Sequence, residues 1–268
     1  MINVRNIVVC AIKSRKIVEA TSIAAILYPL ATYYIVSTIP KYGARTMYTK
    51  MHHEVLYSIA MDSIDLVEKT LIEKGVKNIE KKIIQSRKPG RDFIKFIKSI
   101  KADLIVATTP DIMGKIGSKL FVEAHRSHRL VLVSTARSRW VQDIKKLMLL
   151  VSKPSISNQA LYFSFKLAER LGAEVSLITM EKPGSIDVHT VKMYSSSRKV
   201  KVHVEPITRY KKNYIDEILD TAENNDLFIV DRTVFIKHKI LHPILWFYKL
   251  SKDEELLLKK SPIPILYM

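Results

Sequence analysis

Ala102-Asp-Leu-Ile-Val-Ala107 and Asp226-Leu-Phe-Ile-Val230 are two versions of one phrase, one in each half of a 268-residue chain. Each carries an aspartate, Asp103 or Asp226, that runs directly into a short apolar stretch, the pattern of a strand buried on both faces. An amphipathic segment precedes each phrase, at residues 91–101 and 214–223. Strands that alternate with helices of ten or more residues predict βαβ units and a parallel sheet.

The alternation extends outward from the first phrase. Residues 6–11 (Asn-Ile-Val-Val-Cys-Ala) predict a buried strand. Residues 14–27 follow as a helix, with Ile17, Ala20, Ala24 and Leu27 on one face and Ser14 as its cap. Residues 32–39 are the next strand, and 53–74 a long amphipathic helix stopped by Gly75. Residues 79–85 are a third strand; 117–126 and 130–134 close the half as helix and strand. No charge occurs in residues 21–40, long enough to cross a bilayer as one helix. Pro29 and the run Tyr33-Tyr-Ile-Val36 change its character midway, so a helix followed by a buried strand is the expectation, with no membrane span. No secretory leader is expected, since Glu19 interrupts the basic lead-in.

After a polar stretch at 136–143 the pattern restarts. Residues 146–151 repeat the first strand, 157–171 the first helix and 173–179 the second strand. The middle is short and Ser-rich around Tyr194-Ser-Ser-Ser-Arg198, which predicts a truncated second helix. Residues 199–206 alternate as a strand, and a short helix at 253–260 precedes a terminal strand at 263–267. The boundaries follow: domain 1 is 1–140; domain 2 is 141–268, with an apolar insertion at 232–250.

Together these features resemble the universal stress protein domain, in tandem. The carriers are the strand–helix pair opening each half and the helix-plus-ADLIV strand. A third is the close of the first half, Gly117-Ser118 one helix ahead of Leu130-Val-Leu-Val133, with a matching close at Lys252–Leu266. The resemblance implies two doubly wound parallel-sheet domains of the HUP, adenine nucleotide alpha hydrolase-like class, strand order 3-2-1-4-5. It also implies that the last strands, Val131–Val133 and Ile265–Tyr267, pair into a pseudo-dimer within one chain. In such sheets ligands bind where strand order reverses, outside the carboxyl ends of strands 1 and 4.

Nucleotide-binding members carry an Asp after strand 1 and a Gly-x-x-Gly, nine-residue spacer, Gly-Ser/Thr pattern. Here Ile12 stands at the Asp position, Thr108 and Asp111 at the first two glycines, and only Gly117-Ser118 stays in register. The resemblance with these departures makes Lys13, Arg15, Lys115, Gly117, Ser118 and Lys119 the candidate phosphate site of domain 1. In domain 2, Ser152 takes the Asp position and no glycine follows strand 4, so no nucleotide is expected there. No resident cofactor is assigned; ATP or AMP in domain 1 alone is the alternative.

Chemistry elsewhere is sparse. One cysteine, Cys10, excludes an intramolecular disulfide and a Cys-based zinc site, and fits a reducing compartment. His52-His53 and the His125/His128 pair lack acidic or Cys companions at ligand spacing, so no metal is assigned. No catalytic motif is present, and Asp103 and Asp226, each opening a strand, read as structural.

Charge speaks more clearly. The chain has 44 Lys and Arg against 26 Asp and Glu, net +18. Residues 1–140 hold 24 basic and 11 acidic side chains, a balance of +13, which leaves +5 for residues 141–268. Lys81, Lys82, Arg87, Lys88, Arg91, Lys95 and Lys98 gather around the third strand and helix. Arg126, Arg129, Arg137 and Arg139 gather near the end of domain 1, and Lys199, Lys201, Lys211 and Lys212 around the third strand of domain 2. Such patches are the footprint of phosphate-backbone binding. The expectation is a non-enzymatic, cytoplasmic, stress- or growth-state-associated protein. Its partner would be a polyanion, RNA or a ribonucleoprotein such as the ribosome, met mainly through domain 1. The rivals are a nucleotide-binding regulator and a protein-docking module that uses residues 240–250.

Overall fold

The computed structural model describes residues 4–11, 14–41, 50–109, 129–152, 157–180, 188–207, 213–235 and 251–268. The chain divides into two compact units, Asn3–Ser134 and Thr135–Met268.

The first unit alternates β1 (Asn6–Cys10), α1 (Arg15–Leu27), β2 (Thr32–Pro40), α2 (Lys50–Glu73), β3 (Ile79–Ser86), α3 (Pro89–Ser99), β4 (Leu104–Thr108) and β5 (Leu130–Ser134). Its strands lie in the order β3-β2-β1-β4-β5, every pairing parallel. This is the 3-2-1-4-5 order. The apolar runs become the central strands because both faces are covered: Ile7, Val8, Val9 and all of β4 and β5 are buried. The uncharged 21–40 stretch resolves into the end of α1 and all of β2, since Pro29 ends any continuous helix. Among the described residues no helix is long and apolar enough to cross a membrane.

Local chemistry sets the helix ends. Ser14 Oγ accepts from the Lys16 N–H at 3.1 Å and starts α1. Gly75, at φ +78, lets the chain leave α2 while the Val76 N–H reaches back to the Leu71 carbonyl at 3.0 Å.

The second unit contains β6 (Lys146–Val151), α4 (Asn158–Leu171), β7 (Glu174–Thr179), α5 (Val188–Arg198), β8 (Val202–Pro206), α6 (Tyr214–Ala222), β9 (Leu227–Val230), a 3-10 turn (Arg232–Phe235), α7 (Lys252–Lys260) and β10 (Ile265–Tyr267). Its strand order, β8-β7-β6-β9-β10, is again 3-2-1-4-5 and parallel throughout. Helix α5 has 11 residues where α2 has 24, the truncation expected from the Ser-rich middle, and the serines themselves lie inside α5.

The units divide after Ser134, earlier than the 140/141 boundary read from the restart of the strand–helix pattern. The polar 136–143 stretch belongs with the second unit for a physical reason. Thr135 Oγ1 donates to the Ser261 carbonyl at 2.6 Å, and the Arg139 N–H donates to the Pro262 carbonyl at 2.8 Å.

Candidate functional site

The carboxyl end of the first unit's sheet is where a ligand of this fold would lie. Of the expected phosphate site only Arg15 is among the described residues; Lys13, Lys115, Gly117, Ser118 and Lys119 lie outside them. What stands there includes a carboxylate. Glu19, one turn into α1, is 3% exposed. Lys16 Nζ donates to both its oxygens, at 3.1 and 2.8 Å, and Ser134 Oγ at the end of β5 donates to Oε2 at 3.2 Å. Arg15 reaches the same carboxylate only loosely, at 3.9 Å with its side chain 82% exposed. Two of the cations near this crevice therefore already face an internal anion, which opposes a phosphate in the same place. Sequence reading passed over Glu19 as a site residue. Its signal was there: Glu19 is the sole charge between residues 17 and 40, in a helix buried on nearly every side.

In the second unit the corresponding place holds the buried Asp231 just after β9, and Ser152 after β6. The 3-10 turn that follows β9 packs on β6 and buries Val234 and Phe235, at 1% and 4% exposure. The insertion at 240–250 lies outside the described residues.

The basic residues divide by what they already hold. Strand β3 alternates, so Lys81 and Lys82 point to opposite faces. Lys81 turns to α2, with Nζ 2.9 Å from Glu68 Oε2 and 4.0 Å from Asp65; that hydrogen bond raises its pKa. Lys82 turns to α3, with Nζ 4.4 Å from the centre of the Phe96 ring. Lys95 lies 3.6 Å from Asp92. The Asp92 carboxyl is held below its ordinary pKa first by the hydrogen bond from Ser86, with smaller help from Lys95 and Arg91. In the second unit Lys201 Nζ bonds Glu174 at 2.8 Å, which lowers the glutamate's pKa.

Two of the arginines are structural brackets. Arg129 Nε donates to the Ala102 carbonyl at 2.6 Å, beside the start of β4. Arg139 gives Nη1 to the Glu223 carbonyl at 2.8 Å and Nη2 to the Asn225 carbonyl at 2.6 Å, closing the end of α6. Arg126, Lys211 and Lys212 lie outside the described residues.

A contiguous exposed set remains. Arg87 and Lys88 fill the turn between β3 and α3, and Arg91 lies in the first turn of α3. Arg87 and Lys88 have exposed side chains with no ion-pair partner among the described residues. Lys95 and Lys98 continue the Arg91 face down the helix. Arg137 and Lys199 are exposed in the second unit, each away from this set in sequence.

A groove of about 360 Å³ opens near the amino ends of β6, β7 and β8. Glu174, Glu205 and Asp220 line it, with Lys146 and His203, so its lining is more anionic than cationic and does not suit a phosphate. Among the described residues no group of three His, Cys, Asp or Glu is placed to hold a metal ion.

No family model and no curated protein matches the chain. Solved structures do. A universal stress protein from Archaeoglobus fulgidus DSM 4304 superposes with TM-score 0.70 at 12% identity, covering 99% of this chain and 96% of that one. A functionally unknown protein from Pseudomonas aeruginosa PAO1 superposes with TM-score 0.61 at 11% identity, covering 100% and 93%. At these identities the likeness is one of architecture, and it agrees with the strand order found twice here: this chain carries the universal stress protein fold in tandem.

Proposed function

We propose that this protein is a non-enzymatic, cytoplasmic member of the universal stress protein family that binds a polyanion, RNA or a ribonucleoprotein such as the ribosome. The observation that supports this most is the pair Arg87 and Lys88, exposed and without an ion-pair partner among the described residues, beside the exposed Arg91 on the first unit of a chain of net charge +18. Cations that already hold Glu68, Asp92 or Glu174 are held at the surface by their own protein. Among the described residues Arg87 and Lys88 have no such tie, which leaves them to take phosphate oxygens. Such contacts attach to the backbone and carry no base preference of their own.

The test is retention on immobilised RNA and on heparin by the full chain and by an Arg87→Glu/Lys88→Glu/Arg91→Glu variant. The reading expects the wild type to be retained at low salt and the variant to elute much earlier from both. Equal elution of the two proteins would contradict it.

A further inference from the structure

The geometry points to single-stranded nucleic acid as the partner, with a base stacking at the Tyr34–Phe96 pair beside the α3 cations; this rests on the polyanion reading above. Helix α3 is fastened to its sheet by Phe93 and Ile97, at 5% and 1% exposure. Phe96 lies off that buried stripe, on the flank toward β3, and is half-buried. Tyr34 of β2, also half-buried, meets it edge-on, with ring centroids 6.0 Å apart and planes at 73°. The Lys82 ammonium stands 4.4 Å from the centre of the Phe96 ring. Arg91, Lys95 and Lys98 run along the adjacent outward face at helical spacing, with Arg87 and Lys88 at its head.

An aromatic pair flanked by a row of cations supplies the two things a single strand offers partners for. Cations take the phosphates and a ring takes a base face, with no demand on sequence. A duplex keeps its bases stacked inside, so it can use only the cations. The Lys82 ammonium would have to leave the ring face it covers for a base to stack there, and in doing so it would bring a cation to the neighbouring phosphate.

Fluorescence anisotropy of the full chain tests this with three probes: a 12-nucleotide single-stranded RNA, a duplex of the same length, and heparin. The variant is Phe96→Leu, which keeps an apolar side chain on α3 while removing the π face. A thermal midpoint within a few degrees of wild type establishes that it is folded, and Tyr34→Leu serves as a second, independent variant. The expected result is a roughly tenfold weaker grip on the single strand, with heparin and duplex affinities unchanged. A 2-aminopurine placed in the strand should lose fluorescence on binding wild type and keep it with Phe96→Leu. If both variants bind the single strand as tightly as wild type, or lose heparin to the same degree, stacking is overturned while the polyanion reading stands. If wild type binds none of the three probes, both fall.

Discussion

Asp226 and Lys146 hold each other twice: the Asp226 N–H donates to the Lys146 carbonyl at 2.9 Å, and Asp226 Oδ2 accepts the Lys146 N–H at 2.9 Å. Asp103 and Asn6 make the same exchange in the first unit, at 2.8 and 3.0 Å. Each aspartate also takes the preceding N–H, of Lys145 at 2.9 Å and of Arg5 at 2.8 Å. The acidic residue in each repeated phrase thus pins the first strand of its unit to the fourth, satisfying N–H groups that lie beyond the ladder.

Asp103→Ala and Asp226→Ala should each destabilise by about 1–3 kcal/mol, because two backbone N–H groups lose a charge-assisted hydrogen bond at each partly exposed strand end, and Asp226 also loses the Arg139 Nη2 contact at 3.4 Å. The substitutions lie in different units and share no partner, so their effects on the respective unfolding transitions should be independent. Urea unfolding of the singles and the double measures this. A wild-type midpoint in either single variant would show that the clamp contributes nothing.

Glu19→Ala should destabilise by about 1–3 kcal/mol, since the buried hydrogen bond from Ser134 and the ion pair with Lys16 are both lost. The upper end is reached only if Lys16 stays in place. At 26% side-chain exposure it has a route to water, which favours the lower end. Glu19→Gln, which keeps an acceptor for Ser134, should lie between wild type and Glu19→Ala in urea unfolding.

Ser86→Ala should raise the Asp92 pKa toward its ordinary value of 3.8, because the Ser86 hydrogen bond is the largest cause of its depression. A depressed folded-state pKa contributes stability that is present above the unfolded value and is lost as pH falls through the folded one. The stability difference between wild type and Ser86→Ala is therefore expected above about pH 4 and should shrink on further acidification. Carboxyl NMR titration reads the pKa directly, and an unmoved Asp92 resonance profile would reject the assignment.

Gly75→Ala should cost about 1 kcal/mol. Nothing lies within 4 Å of the added methyl, so the whole effect comes from a φ of +78 that an L side chain disfavours. Thermal unfolding of the variant tests it.

The fold was largely legible because it follows from local pattern. Buried strands such as Asn6–Cys10 and Leu104–Thr108 are continuous apolar runs, and Gly75 marks the end of α2 where expected. The repeat was visible in Asp103 and Asp226, whose structural role the clamp explains. The candidate site was legible only as charge. Composition counts Arg129, Arg139, Lys81 and Lys201 alike, although their partners, the Ala102 and Glu223 carbonyls, Glu68 and Glu174, come from distant segments. Tyr34 and Phe96 meet across β2 and α3, a pairing no local window contains.

The most direct test of the central claim is the slope of log affinity against log salt concentration for single-stranded RNA, measured for wild type and Arg87→Gln/Lys88→Gln. With three to four phosphate contacts the wild-type slope should be roughly −2 to −3, and removing two should bring it closer to zero by about 1.4. A flat wild-type response, or a slope that the double variant leaves unchanged, would contradict polyanion binding through this surface.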